Sequence, residues 1–401
     1  MKSSVMPSKG PIPGSWRAAS DGSPVLDLTR ELVARPSITP DDAGCQRLIC
    51  ERLLPLGFNV EWFLCGDVSN VLLTRGSGSP SLWFLGHTDV VPPGPEELWT
   101  YLPFHPDQKD GELHGRGVAD MKGAVAAMVV ALETFVLHHP DHGGEIGLLL
   151  TSDEEGEAVD GIVRVAEELK RRGRRPDHCL VGEPSSRQLL GDTVRIGRRG
   201  SIHLRLRVNG VQGHTAFPEN LDNPVHRLAP LLDELVGLKW DTGDDDFPAS
   251  HCQVASIQAG TGARNVTPAY AELQVNFRNG PRSPFKDIRD RFDRLLSRHE
   301  IEDYEADWAV MGEPFRSPPG KLREAVIGAV EELLGVTPEL NTGGGTSDGR
   351  YIAPLGSEVL ELGLLNHTIH QVDERTPVAD LDRLYATYYD IIRRIVVSNL
   401  P

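Results

Sequence analysis

The hydrophobic pattern of this chain changes rhythm twice. From about residue 25 to 196, short apolar runs alternate with segments of helical period. Val25, Leu28, Leu32 and Val33 share one face of a predicted helix, which Ser37-Ile38-Thr39-Pro40 interrupts. A second helix, with Cys45, Leu48, Ile49, Leu53 and Leu54 apolar, ends at Gly57. Strands are expected over 59–63, 70–74 and 81–86. Residues 90–117 have loop character, and 124–135, apolar nearly all round, reads as a buried helix. Buried strands follow at 145–151 and 179–181, with an amphipathic helix at 162–169 between them. Near Gly197 the rhythm becomes strict alternation of apolar and polar residues, as in Ser201–Val208, 252–258 and 269–277. Helices are expected at 224–236 and 286–298, and a last strand at 304–309. From about Ser317 the first rhythm returns, with a helix at 322–334, a strand at 359–363 and an amphipathic helix at 381–396.

The fold expected is therefore α/β: a mixed sheet flanked by helices, built from 23–196 and 312–401. It is interrupted at 197–311 by an inserted β-α-β-β-α-β domain of α+β, ferredoxin-like type. Residues 1–22, rich in Ser, Pro and Gly, bury no useful apolar face and are expected to be a disordered extension.

Length and charge add limits. A chain of 401 residues is too long for one ordinary core. Its net charge of −17 argues against a nucleic-acid partner. The five cysteines contain no CxxC pair and read as reduced thiols of a cytoplasmic protein. No apolar run approaches the ~18 residues of a membrane span, so no membrane partner is expected.

The candidate chemistry sits where apolar runs stop. Trp83-Phe84-Leu85-Gly86 leads into His87, with Asp89 two positions on. If the strand continues through Thr88, both side chains point the same way, and the carboxylate can fix the imidazole tautomer. A His at a strand end that only hydrogen-bonds Asp89 is the plainer alternative. Asp120 precedes the buried helix and is either its N-cap or a carboxylate ligand. Glu145–Thr151 runs into Asp153-Glu154-Glu155, and Cys179-Leu180-Val181 into Glu183. The ends of such strands are where open α/β sheets place ligands. With His370, these give two imidazoles and several carboxylates, a donor set without thiolate that suits Zn²⁺ or a similar ion. They can form two sites sharing one Asp, with a free Glu as the base. The Gly-rich run Thr342–Arg350 lacks the P-loop pattern, and its amides are expected to approach an anionic ligand.

The segments GHTDVVPPG, GRGVADMKG, TSDEEG, VGEP, GRRGS, GHTAFP, GGTSDGR and NHTIHQ resemble the dizinc M20 family of amidohydrolases. The resemblance spans nearly everything from Val25 onward. It implies that the first domain is catalytic and zinc-binding, and that 197–311 is a lid that also forms a homodimer interface. His87, Asp120 and Glu183 would hold one Zn²⁺; Asp120, Glu155 and His370 the other, with Co²⁺ as a substitute at one site. Glu154 would be the general base, Asp89 the partner of His87, and His214 an oxyanion donor reaching into the second subunit's site. Arg199, Ser201, Asn265, Arg278, Gly345, Thr346 and Asn366 match positions that hold a small-molecule dicarboxylate amide substrate. The nearest activity implied is removal of succinate from N-succinyl-L,L-2,6-diaminopimelate. Deacetylation of acetylornithine, or dipeptide cleavage, is the alternative within the family.

Overall fold

The structure, a computed structural model, describes residues 22–397, so all but the end of the expected extension lies outside it. Strand Ser81–His87 is buried along its whole length because both of its faces are covered. Leu82 and Phe84 point into one apolar cluster, and Trp83 and Leu85 into another, as the two-residue period of a strand requires. Helices Pro24–Val33, Cys45–Leu53, Gly123–His138, Lys321–Leu334 and Val378–Ile392 contribute to the first cluster. Helix Ile162–Arg171 contributes to the second. Residues Val118–His138 are long and apolar enough to cross a membrane, a longer run than the sequence suggested. They form the centre of the first cluster, with 78% of their most apolar window buried.

Among the described residues the main sheet has eight strands. In order they are Asn59–Cys65, Val68–Ser77, Gly144–Thr151, Ser81–His87, His178–Val181, Glu358–Glu361, Thr193–Arg195 and Glu339–Asn341. Ser81–His87 runs parallel to both neighbours, Gly144–Thr151 and His178–Val181, so all three chains leave the sheet at one edge. Val68–Ser77 is antiparallel to Gly144–Thr151, which makes the sheet mixed, as expected.

After Thr193–Arg195 the chain passes into a separate four-stranded antiparallel sheet, in the order His251–Ala259, Tyr270–Asn279, Gly200–Asn209 and Tyr304–Gly312. Helices Pro224–Gly237 and Phe285–Arg298 cover one face, and Leu204, Leu206, Leu231, Phe277 and Phe292 fill its own core. The β-α-β-β-α-β order is the one read from the sequence. A two-stranded ribbon, Gly197–Arg198 with Phe315–Arg316, joins the entry to and exit from this unit.

One half-buried acid, Asp42, is bonded to Thr88, the residue after His87. Asp42 accepts hydrogen bonds from the Thr88 hydroxyl (2.6 Å) and the Gln46 amide (3.0 Å). Burial pushes its carboxyl from 3.8 to about 6, against the lowering effect of those bonds. An acid whose pKa is raised by folding costs stability once ionised. That cost is absent below its unfolded pKa of 3.8 and complete above about 6. Asp42→Asn is therefore expected to exceed the parent in stability by about 2–3 kcal/mol at pH 8 and to match it near pH 4. Thermal melts of both proteins across that range check this, and a gap that does not change with pH would refute it.

Candidate active site

The three parallel strands set the geometry. His87 is the last residue of its strand and pairs with Thr151, the last of the neighbouring one. Glu154 and Glu155 follow Thr151 by three and four residues. On the other side Leu85 pairs with Val181, and the Gly182 amide bonds the Leu85 carbonyl (3.1 Å), which brings Glu183 beside His87. Asp120 arrives from above, on the segment leading into helix Gly123–His138. A Cβ on Gly86 would lie 2.8 Å from the Met121 side chain, and one on Gly182 2.6 Å from it. The two glycines thus let Met121 nest on the strand ends, and Asp120 is carried over them.

The donor atoms converge. His87 Nε2 lies 3.2 Å from Asp120 Oδ1 and 3.7 Å from Glu183 Oε1. His370 Nε2 lies 3.3 Å from Asp120 Oδ2 and 3.0 Å from Glu155 Oε1. Each Asp120 oxygen therefore faces a different imidazole. The ligand atoms of His87, Asp120 and Glu155 lie within 4.8 Å of one another, and so do those of His87, Glu154 and Glu183. His87 and Asp120 are buried, while the His370 side chain is about half exposed at 49%.

Asp120 does not cap the helix. Its backbone is extended (φ −123°, ψ 93°), and Lys122 occupies the position before Gly123. Asp89 also differs from expectation, because the strand stops at His87. The Asp89 backbone carbonyl, not its carboxylate, takes His87 Nδ1 at 2.9 Å, and the nearer carboxylate oxygen stands 3.7 Å away. A bond from Nδ1–H to that carbonyl leaves the Nε2 lone pair facing Asp120 and Glu183. The Asp89 carboxylate instead accepts the amides of Glu154 (3.2 Å) and Glu155 (3.1 Å) and fixes the acidic turn.

The charges of this set follow from its crowding. Burial pushes Glu183 up to about 8, with Asp120 adding to the effect. Burial, with Glu183 next, holds Glu154 well above the usual carboxylate range. Hydrogen bonds to Asp120 and Glu155 raise His370 to about 10. Burial opposes protonation of His87, but the Asp120 bond and the surrounding carboxylates outweigh it. Four carboxylates crowded in low dielectric are thus compensated by protons on the imidazoles and, at Glu183, by the charge of Arg198. Divalent cations fit such a set: imidazole and carboxylate donors, no thiolate, and one carboxylate with an oxygen turned to each half.

The remaining candidates fall into two further groups. Ser201 pairs with Arg278 across neighbouring strands, and Asn276 Nδ2 reaches the Ser201 hydroxyl (3.4 Å). Arg199 Nη2 donates to the Gly344 carbonyl (3.5 Å). Burial lowers the pKa of both Arg199 and Arg278; the neighbouring Arg198 lowers Arg199 further, and Arg199 and Arg198 lower Arg278. Two guanidiniums in one another's field present a site short of an anion. The loop with Gly345 and Thr346 adjoins them, but its carbonyls face the arginines: Arg198 donates to Gly343 (3.4 Å) and Gly345 (3.1 Å). These carbonyl contacts anchor Arg198 against the loop. Arg198 also pairs with buried Glu361, a contact sequence reading missed. Asn366 lies on the loop leading to His370, its amide bonded to the Ser186 carbonyl (3.0 Å). His214 and Asn265 stand apart, both exposed, 3.5 Å from each other. Their side-chain hydrogen bonds among the described residues are local, to Ala216 and to each other.

Two more acids escaped sequence reading. Asp348 is buried, and neither of its carboxylate oxygens has a hydrogen-bond partner among the described residues. Burial lifts it to about 7. Glu374 is buried beside Asp120. Glu374 follows His370 on the same loop, and no spacing in the sequence marks it.

Residues 83–394 match peptidase family M20/M25/M40. The chain is 50% identical over 377 residues to a succinyl-diaminopimelate desuccinylase of Xylella fastidiosa, covering 94% of this chain and 100% of the relative. It is 51% identical over 375 residues to a desuccinylase of the same name from Stenotrophomonas maltophilia, with the same shares covered. Among solved structures, an M20 family metallo-carboxypeptidase of Sulfolobus solfataricus superposes with a TM-score of 0.77 at 16% identity, over 93% of this chain and 99% of the other.

Proposed function

The chain belongs to peptidase family M20/M25/M40, and from that premise we propose that it is a metal-dependent amidohydrolase acting on N-succinyl-L,L-2,6-diaminopimelate. The products are succinate and L,L-2,6-diaminopimelate, as in diaminopimelate and lysine biosynthesis. The observation that carries the substrate is the likeness to desuccinylases over nearly the full length.

His87, Asp120 and Glu183 hold one cation in this reading, and Asp120, Glu155 and His370 the other. Both are Zn²⁺, with Co²⁺ able to replace one. Cations held by these residues would supply Lewis-acid polarisation and a more acidic water. Glu154 takes a proton from the attacking water as the O–C bond forms, then passes it to the amide nitrogen as the C–N bond breaks. Asp89 keeps Glu154 in place by holding its amide. Arg199 and Arg278 bind the succinyl carboxylate, and Ser201, Asn265, Gly345, Thr346 and Asn366 line the substrate. His214 Nδ1 accepts the Ala216 amide at 3.0 Å, which places the ring proton on Nε2, beside the Asn265 side chain at 3.5 Å, from where it can donate to an oxyanion. Its exposure on the inserted unit supports action in a second copy. Residues 197–311 serve as lid and dimer interface, supported by exposed Val225, Val236 and Ile257 on that unit. The cytoplasm is the expected compartment.

The experiment compares kcat/KM for N-succinyl-L,L-diaminopimelate with that for N-acetylornithine. A strong preference for the succinyl substrate is expected, and Arg278→Met is expected to cut it by about 10²-fold by leaving the succinyl carboxylate unpaired. Preference for acetylornithine would overturn the substrate and leave the metal centre standing.

A further inference from the structure

Glu374 binds four of the six backbone amides of the segment that delivers Asp120. Its carboxylate accepts the Arg116 guanidinium (2.8 Å) and the backbone amides of Gly117 (2.9 Å), Ala119 (2.9 Å) and Asp120 (3.1 Å). Its own carbonyl accepts the Gly115 amide at 2.9 Å. Residues 115–120 thus send five hydrogen bonds to one residue that is fully buried. Left unpaired in the core, those amides would carry a large desolvation penalty, so the carboxylate dictates the path of the segment.

The same residue closes the loop that carries His370. His370 and Asp373 are both in the left-handed region (φ 61° and 58°), a conformation that side-chain-bearing residues hold only when their surroundings fix it. Asp373 is fastened on one side, its carboxylate accepting the Thr100 amide at 2.8 Å. Glu374 is fastened on the other, to the Asp120 segment. One clasp therefore sets the position of His370 relative to Asp120, whose two oxygens separately face His87 and His370.

We propose that Glu374 is a positioning residue of the metal centre, holding Asp120 and His370 in mutual register before any cation binds. This rests on the assignment of Asp120 and His370 as ligands. Carboxylates one step removed from a metal orient its ligands, and their loss typically costs about 10–100-fold in affinity. Glu374→Gln keeps the volume but sets an NH₂ group against amide donors.

The test titrates metal-depleted full-length protein with Co²⁺, followed by calorimetry and by visible absorption. Glu374→Gln is expected to bind Co²⁺ about 10–100-fold more weakly than the parent, with an altered absorption envelope and a fall in kcat at little-changed KM. Glu374→Asp, which keeps the charge, is expected to recover part of the affinity. Tyr388→Phe, which removes a buried hydroxyl bond to the Leu362 carbonyl at 2.5 Å, serves as a control for mere destabilisation and should bind Co²⁺ as the parent does. Parent-like Co²⁺ affinity in Glu374→Gln, with only the melting temperature lowered, would overturn the proposal. If Glu374→Gln does not fold, amide exchange in the metal-depleted parent decides. Protection at Gly117, Ala119 and Asp120 supports the clasp, and protection that arises only on adding Co²⁺ overturns it. A parent that takes up no Co²⁺ overturns the ligand assignment itself, a result distinct from failure of the clasp alone.

Discussion

Glu154→Gln is expected to lower kcat by about 10³-fold, to leave KM within a few-fold, and to keep both cations bound. The geometry separates Glu154 from its neighbour. Glu155 is engaged by His370 at 3.0 Å, whereas Glu154 is held in place through its backbone amide by Asp89. Burial first, and the nearby Glu183 second, raise its pKa, which makes it a stronger base than a solvated carboxylate. Its oxygen nevertheless lies within 4.8 Å of ligand atoms of His87 and Glu183, so a ligand role is the competing assignment. Steady-state kinetics and metal analysis of the same preparation separate the two. Loss of one cation with the loss of rate would make Glu154 a ligand, and retention of most of the rate would place the base elsewhere.

What could be read from the sequence follows the same physics. The acid-tipped strands were legible because a strand covered on both faces is a continuous apolar run, and the first polar residue marks where it leaves the core. Parallel pairing then brings His87, Glu154, Glu155 and Glu183 to one edge without further information. The inserted unit was legible because one open face imposes strict alternation. Strands Thr193–Arg195, Glu339–Asn341 and Arg375–Pro377 were not, since three residues show no period. The Asp89 carbonyl stands nearer to His87 Nδ1 than its carboxylate does, at 2.9 against 3.7 Å, because the strand ends at His87 and the two-residue rule holds only within a strand. Glu374 was invisible for a deeper reason. Its partners are mostly backbone amides some 255 residues away, and an amide leaves no signature in the identity of the residue that carries it. Residues that bind through side-chain chemistry could be read from the sequence, while those that hold the backbone in place could not.

Asp120→Ala is expected to abolish tight binding of both cations and to lower kcat/KM by about 10³-fold or more, the scale of several kcal/mol of lost charge stabilisation. The reason is the division of its oxygens. Oδ1 faces His87 at 3.2 Å and Oδ2 faces His370 at 3.3 Å, so one substitution removes a donor from each half. His370→Ala removes a donor from one half only and is expected to leave about one cation per chain, held by the set around His87. Metal content after exhaustive dialysis, measured for both variants against the parent, separates a shared carboxylate from two independent sites. If Asp120→Ala keeps one cation as firmly as His370→Ala does, then Asp120 serves a single half. The second group of close ligand atoms, His87 with Glu154 and Glu183, would then be the one that closes the other half. That outcome would also make Glu154 a ligand, so the two largest effects expected for this site stand or fall on the same arrangement of carboxylates.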